Sequence, residues 1–105
     1  MQKVALVTGA GTGIGKSAAL ALLKDGFAVA LVGRRKELLD KTAADSGAAE
    51  RALVLSGDIT QPAVVKEMFS KVKSKWGRLD VLFNNAGMGA PAVHDIANTE
   101  VDVQM

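Results

Sequence analysis

Short apolar runs alternate along this chain with longer stretches in which apolar residues recur every three or four positions. Four of the runs have the length of a strand, namely Val4–Val7, Phe27–Val32, Ala52–Leu55 and Leu79–Phe83. Runs that are apolar at nearly every position indicate strands buried on both faces, which are typical of parallel sheets covered by crossover helices. The pattern therefore predicts an α/β fold in which about four strands form a doubly wound parallel sheet with helices on both faces.

The stretches between these runs predict three helices, over Ser17–Lys24, Lys36–Ser46 and Thr60–Trp76. In the third stretch, the apolar residues fall on one side of a helix of about 3.6 residues per turn. Thr60 is expected to cap this helix, and Gly47 is expected to end the second one.

Composition and charge narrow the possible functions. The chain has 105 residues and is predicted to form a single domain, residues 1–105. Its 13 basic and 11 acidic residues give a net charge of +2, too small to indicate a nucleic-acid surface. The sequence has no cysteine, which excludes a thiolate metal site and fits a reducing compartment. With no secretory signal and no membrane-spanning run, we expect a cytoplasmic protein without a membrane partner or a metal site.

The stretch TGAGTGIGKS, residues 8–17, is compatible with two kinds of phosphate-binding loop. A nucleotide-triphosphate loop needs glycine, four residues, and then Gly-Lys-Ser. Gly15, Lys16 and Ser17 fit this pattern, but Ala10 stands where the first glycine belongs. A P-loop NTPase would also need an acidic residue for magnesium, and Asp58 is the candidate.

The alternative is a dinucleotide-binding turn built on Gly9, Gly13 and Gly15. Glycines allow a sharp turn from strand to helix and let a pyrophosphate approach the backbone amides at the helix N-terminus. The spacing differs from the common GxGxxG fingerprint. The glycine turn alone therefore leaves both kinds of loop open.

A second motif changes this balance, because it lies at the end of another predicted strand. The first motif, TGxxxGIG, is matched by Thr8, Gly9, Gly13, Ile14 and Gly15, and the second, NNAG, by Asn84, Asn85, Ala86 and Gly87. With both motifs in this order, the chain from residue 2 to about Pro91 resembles the short-chain dehydrogenase/reductase family. The resemblance implies a Rossmann-type dinucleotide-binding domain and an oxidoreductase that transfers a hydride between nicotinamide and a carbonyl or alcohol carbon.

The resemblance also assigns roles to individual residues. The pyrophosphate turn would comprise Gly9, Gly13, Ile14 and Gly15, with a further contact from Thr12. Asp58 and Ile59 resemble the family's adenine-binding segment, although Asp58 is equally compatible with capping the following turn. The ribose would lie along the backbone of Asn85, Ala86 and Gly87, whereas Asn84 is expected to brace the sheet.

The end of the second strand bears on the choice of cofactor. Enzymes that use NAD place a carboxylate there to hold the ribose hydroxyls, whereas a 2′-phosphate needs that carboxylate absent and an arginine nearby. This chain has Gly33 at that position, followed by Arg34 and Arg35. We therefore predict NADP as the cofactor. NAD stays possible, because Thr12 stands where many NADP-preferring members of the family place a second basic residue.

No catalytic residue is predicted. The family's catalytic groups are a serine, a tyrosine with its lysine, and an asparagine on a later helix, but this sequence contains no tyrosine. His94 is predicted to lie in a loop beside Asp95, and Ala90–Met105 resembles the start of a further helix. We therefore expect the chain to be the cofactor-binding half of a reductase and to be inactive alone. The sequence does not indicate the substrate. We expect a homo-oligomeric assembly.

An alternative is that the 105 residues form a complete, non-catalytic nucleotide-binding module. The fourth strand would then be an open apolar edge of the sheet, and such edges promote association. Under this alternative, we expect either a dimer that forms through that edge or aggregation.

Overall fold

Five strands and three helices make up the part of the chain that the computed structural model describes, residues 2–85 and 93–95. The strands are β1 (Val4–Thr8), β2 (Ala28–Gly33), β3 (Ala52–Ser56), β4 (Val81–Phe83) and β5 (Val93–Asp95). The helices are α1 (Gly13–Lys24), α2 (Lys36–Ser46) and α3 (Pro62–Trp76), and a short 3-10 turn covers Ala49–Arg51.

The strands form one sheet in the order β3-β2-β1-β4-β5. The pairs β1–β2, β2–β3 and β1–β4 are parallel, which confirms the predicted Rossmann-type parallel sheet. The chain winds outward from β1 to β3 and then returns to the other side of β1 to form β4. This reversal leaves a crevice beyond the carboxyl ends of β1 and β4, the position at which open α/β sheets bind ligands.

Helices cover both faces of the sheet, and for this reason β1 is apolar at every position before Thr8. Val4 and Leu6 pack in the cluster on the side of α3, whereas Ala5 and Val7 pack in the cluster that contains residues of α1 and α2. All four side chains are buried. Among the described residues, no helix is long and apolar enough to cross a membrane.

Two helices begin at residues other than those predicted. The first helix begins at Gly13, four residues before Ser17, because the small residues ahead of Ser17 already belong to its first turn. The third begins at Pro62 with Gln61 as its N-cap, whereas Thr60 donates its hydroxyl to Asp58 instead of capping the helix. The second helix has the predicted bounds and ends at a glycine in the left-handed conformation.

The fourth strand is not an open edge in the structure. Val93–Asp95 pairs with it antiparallel and supplies hydrogen-bonding partners along its free side. His94 therefore lies in a strand, and the predicted loop at this position is wrong, as is the expectation of an uncovered β4. The rest of the helix predicted over Ala90–Met105 lies outside the described residues.

Candidate functional site

A buried hydrogen-bond network joins the ends of β1 and β4 at the crevice. The Thr8 hydroxyl donates to Asn84 Oδ1 over 3.0 Å and accepts from the Asn85 backbone amide over 2.7 Å. Thr8 and Asn84 are both buried, so these bonds are shielded from water. The structure therefore confirms that Asn84 braces the sheet, while the network fixes the backbone of Asn85 beside the glycine turn.

The connection from β1 to α1 requires glycine at several positions, among them Gly9 and Gly15. Gly9 has a φ of +63°, a left-handed conformation that side chains disfavour. A Cβ atom at Gly15 would lie 2.0 Å from the Gly9 carbonyl oxygen and 3.0 Å from Asn85 Nδ2. Gly13, Ile14 and Gly15 were predicted to lie in the turn, but they form the first turn of α1, which packs directly against Gly9.

The N-terminus of α1 presents a surface suited to an anion. Thr12 occupies the N-cap position in an extended conformation, but its side chain makes no capping hydrogen bond within the described part of the chain. No acidic residue lies in the first turn, so the positive end of the helix dipole is not neutralised locally. Ile14, in the same turn, is 70% exposed. A pyrophosphate group is a suitable partner for such a helix end.

A cavity of about 150 Å³ opens beside the glycine turn, between this turn and the β2–α2 connection. Its volume corresponds to roughly five water molecules, so it is suited to one part of a dinucleotide. The Ala10 amide donates to Val32 O and holds the turn against β2, and the Ala10 carbonyl accepts from the Thr42 hydroxyl and holds the turn against α2. The residues that line the cavity are Gly9, Gly11, Thr12, Gly33, Arg34, Arg35, Leu38 and Leu39.

The two arginines reach this cavity from the end of β2 but have different neighbours. Arg34 Nη2 lies 3.3 Å from Asp58 Oδ1, and the Arg34 side chain is 70% exposed. Arg35 Nε lies 3.9 Å from Glu37 Oε2, in the first turn of α2. Gly33 is the last residue of β2, so no carboxylate projects from that strand end. Two arginines and a β2 end that lacks an acid therefore line the cavity.

Asp58 caps the turn that follows β3, as one of the two interpretations of the sequence predicted. Its Oδ1 accepts from the Thr60 amide at 2.9 Å and from the Thr60 hydroxyl at 2.6 Å. The hydroxyl of Thr60 is the main reason that the pKa of the Asp58 carboxyl lies below its usual value, and Arg34 adds to the effect. Ile59 is partly buried and packs its side chain against the core on the α3 side.

Lys16 does not point as a nucleotide-triphosphate loop requires. Its Nζ lies 2.9 Å from Asp45 Oδ2 on α2, and Lys41 approaches the other oxygen of the same carboxylate. Lys16 thereby lowers the pKa of Asp45, and the pair links α1 to α2. Within residues 2–85, no group of three or more acidic or histidine side chains could hold a metal ion. The lysine thus has a structural partner in place of a phosphate.

Some predicted site residues are not described by the structure, and some lining residues were not predicted. Ala86 and Gly87 lie outside the described residues. Gly11 and Leu38 line the cavity but were not selected from the sequence. Gly11 belongs to the glycine stretch, and a Cβ there would lie 2.8 Å from Leu38 Cβ. The run of glycines was therefore the signal for Gly11, whereas nothing in the sequence indicated Leu38.

Comparison with known proteins decides between the two kinds of loop. The family model for short chain dehydrogenases matches residues 3–105. The chain belongs to the short-chain dehydrogenase family. Membership of this family shows that the P-loop NTPase interpretation is wrong.

Relatives of known structure and activity agree with this assignment. The meso-2,3-butanediol dehydrogenase of Serratia marcescens is 42% identical over 86 residues, which cover 82% of this chain and 34% of that protein. The L-sorbose reductase of Gluconobacter frateurii, solved with NADPH and L-sorbose, has a TM-score of 0.77 and 34% identity over 85% of this chain and 35% of that one. The 3-ketoacyl-(acyl-carrier-protein) reductase of Brucella melitensis, solved with NADH, has a TM-score of 0.71 and 38% identity over 76% of this chain and 32% of that one. This short-chain dehydrogenase chain thus spans about a third of the length of these relatives.

Proposed function

We propose that this chain binds NADP(H) as the cofactor-binding part of an oxidoreductase that transfers a hydride between nicotinamide and a carbonyl or alcohol carbon. The observation that carries the proposal is the cavity beside the glycine turn, which contains Arg34 and Arg35 and has Gly33 at the adjoining strand end. An arginine beside a second strand whose own end carries no carboxylate is the arrangement that a 2′-phosphate requires. The NADPH-bound L-sorbose reductase supports the same cofactor, and the NADH-bound ketoacyl reductase keeps NAD as the second candidate.

The glycine turn fits the pyrophosphate of such a cofactor. A Cβ at Gly13 would meet nothing within 4 Å, so the backbone there is open to a ligand. We propose that the amides of Gly13, Ile14 and Gly15 face the pyrophosphate, with Gly9 shaping the turn and the Thr12 hydroxyl contributing a further contact.

The adenosine end is proposed to lie beyond β2 and β3. All three hydrogen bonds from described residues to Asp58 reach Oδ1, so Oδ2 can accept from the adenine amine. The Ile59 amide is proposed to meet the adenine ring, and Arg34 and Arg35 the 2′-phosphate. Asn85, with Ala86 and Gly87 beyond it, is proposed to follow the nicotinamide ribose.

The chemical step is assigned to the family's tyrosine, lysine and serine. When bound, the nicotinamide supplies or accepts the hydride. This sequence has no tyrosine, so we propose that its own contribution is to bind and orient the cofactor without turnover. A small carbonyl compound or alcohol is proposed as the substrate only of a full-length form that carries those catalytic residues. We also propose that residues 1–105 form a single domain and that the protein is a cytoplasmic homo-oligomer.

Titration calorimetry with NADPH and NADH tests the proposal. Arg34→Ala should weaken NADPH binding by about 1.5–3 kcal/mol, the scale of a charge-assisted contact, and leave NADH nearly unchanged. Lys36→Ala is the matched control, because it removes the same charge from the exposed face of α2, where Lys36 pairs with Asp40. Equal losses for NADPH and NADH in Arg34→Ala would refute the role of Arg34, and binding of neither cofactor by the unmodified chain would refute the proposed function.

A further inference from the structure

Arg34 is shared between the cavity and an acidic side chain. It lines the cavity beside the glycine turn, yet its Nη2 lies 3.3 Å from Asp58 Oδ1. The pairing of Gly33 with Ser56 explains this contact, since it brings the carboxyl ends of β2 and β3 side by side. The Arg34 guanidinium can therefore pair either with the Asp58 carboxylate or with an anion that binds in the cavity.

The two members of this pair differ in how firmly they are held. Asp58 is fixed by its own turn, because both the amide and the hydroxyl of Thr60 donate to Oδ1. Arg34 is a long side chain, 70% exposed, and its ion pair with Asp58 is of the weak, solvent-exposed kind. Of the two, Arg34 can therefore turn toward a ligand in the cavity, while the charge of Asp58 stays in place.

The negative charge of Asp58 would repel a phosphate bound by Arg34. Two anions held by one guanidinium lie closer together than the roughly 10 Å Debye length at 0.1 M salt, so their repulsion is only partly screened. Arg34 must also give up some of its contact with Asp58 to reach a phosphate. Both effects oppose a 2′-phosphate and neither applies to a ribose that lacks one.

We propose that Asp58 competes with the 2′-phosphate for Arg34 and so limits the preference of this chain for NADP(H) over NAD(H). The inference rests on the proposed function, because it needs the 2′-phosphate to bind at Arg34. It gives Asp58 a role in specificity in addition to its hydrogen bonds with Thr60.

Asp58→Asn tests this role, because the amide oxygen can still accept from Thr60 while the charge is lost. The readout is the ratio of the dissociation constants for NADH and NADPH, measured by titration calorimetry on the full chain, since any contact of residue 58 with adenine is common to both cofactors. The ratio should shift about two- to fivefold toward NADPH, the factor that corresponds to an exposed ion pair. The shift should vanish near 1 M salt, where the Debye length falls to about 3 Å.

Two further variants keep the result interpretable. Asp40→Asn removes the same charge from an exposed pair with Lys36 and should leave the ratio unchanged. Asp58→Ser gives a second neutral side chain that can cap the turn, and should shift the ratio in the same direction as Asp58→Asn.

The outcomes separate the inference from the proposed function. If the unmodified chain prefers NADPH through Arg34 but Asp58→Asn leaves the ratio unchanged, the competition is refuted and the proposed function stands. A ratio that shifts toward NADH would show that Asp58 holds Arg34 in place for the phosphate, which also refutes the competition. If neither Arg34→Ala nor Asp58→Asn alters the ratio, both the inference and the placement of the 2′-phosphate are wrong.

Discussion

Gly33 is the residue at which the proposed choice of cofactor can be reversed. It ends β2 beside the cavity, and a Cβ there would lie 3.2 Å from Leu39 Cδ2. Leu39 is buried, so a larger residue at this position requires its side chain to shift by a few tenths of an ångström. A carboxylate placed there would face the same space as Arg34.

We predict that Gly33→Asp weakens NADPH about tenfold or more, because the new carboxylate repels the 2′-phosphate, and that NADH binding is retained or improved. Titration calorimetry with both cofactors measures the effect. Gly33→Asn has the same shape without the charge and should keep NADPH within about threefold of the unmodified chain. Equal losses in the two variants would show that steric crowding against Leu39, and not charge, decides the result.

At the scale of single residues, the sequence predicted those positions whose role depends on their immediate neighbours in the chain. Gly9 and Gly15 follow from the turn between a strand and a helix, and Asn84 follows from its place at a strand end. The partners of Lys16 and Arg34 did not follow, because Asp45 and Asp58 lie 29 and 24 residues further along. Such pairs depend on strand register and helix packing, which spacing in one sequence does not specify.

At the scale of elements, the bounds of β1, β2 and β3 were predicted to within one residue, whereas β4 begins two residues later than predicted and β5 was not predicted. The first three strands are continuous apolar runs, so their bounds are marked by the first polar residue or glycine. The start of α1 was placed four residues late because glycines, which disfavour helices, occupy its first turn. Here the need for backbone close to Gly9 outweighs helix propensity, which tertiary contacts commonly override.

The start of β4 is tied to the start of β1 by a residue that the sequence did not single out. Asp80 accepts from the Val4 amide through Oδ2 over 2.8 Å, and its own amide donates to the Val4 carbonyl over 2.8 Å. Arg78 binds the same carboxylate with two of its nitrogens. Asp80 is buried, and the Arg78 guanidinium holds the pKa of its carboxyl below the usual value, with help from the Val4 amide.

We predict that Asp80→Ala lowers the free energy of unfolding by about 2 kcal/mol at pH 7, since it leaves the buried Val4 amide without its side-chain acceptor. A lowered pKa in the folded state stabilises the fold above the unfolded value near 3.9, and this contribution is lost as the pH falls through the folded value. The difference in the free energy of unfolding between Asp80→Ala and the unmodified chain should therefore become smaller below about pH 4.

Urea unfolding from pH 7 to pH 3 measures the role of Asp80 directly. Asp40→Ala, which removes an acid from an exposed pair with Lys36, is the control and should show little loss at any pH. If the free energies of unfolding of Asp80→Ala and the unmodified chain differ by the same amount down to pH 3, the ion pair does not contribute to the stability of the fold.

At the scale of the whole molecule, the two faces of the sheet are covered unequally at β4. Leu82 is buried on the side of α3. Val81 and Phe83 point to the opposite side, where, among the described residues, they pack at the margin of the cluster under α1 and α2, and both are half-buried. These two helices lie over β1, β2 and β3, so the apolar surface of β4 on this side stays partly accessible.

This half-exposed surface, together with the three-residue outer strand β5, predicts reversible self-association of the chain. Apolar surface left at the margin of a sheet gains free energy when a second copy covers it, at about 25 cal/mol for each Å² removed from water. Light scattering across protein concentrations should show a mass that rises above 10.9 kDa toward the dimer. Val81→Thr, which keeps a β-branched side chain but makes this surface more polar, should move the transition to higher concentration. A mass that stays monomeric at every concentration would contradict both this surface as an interface and the homo-oligomer proposed above.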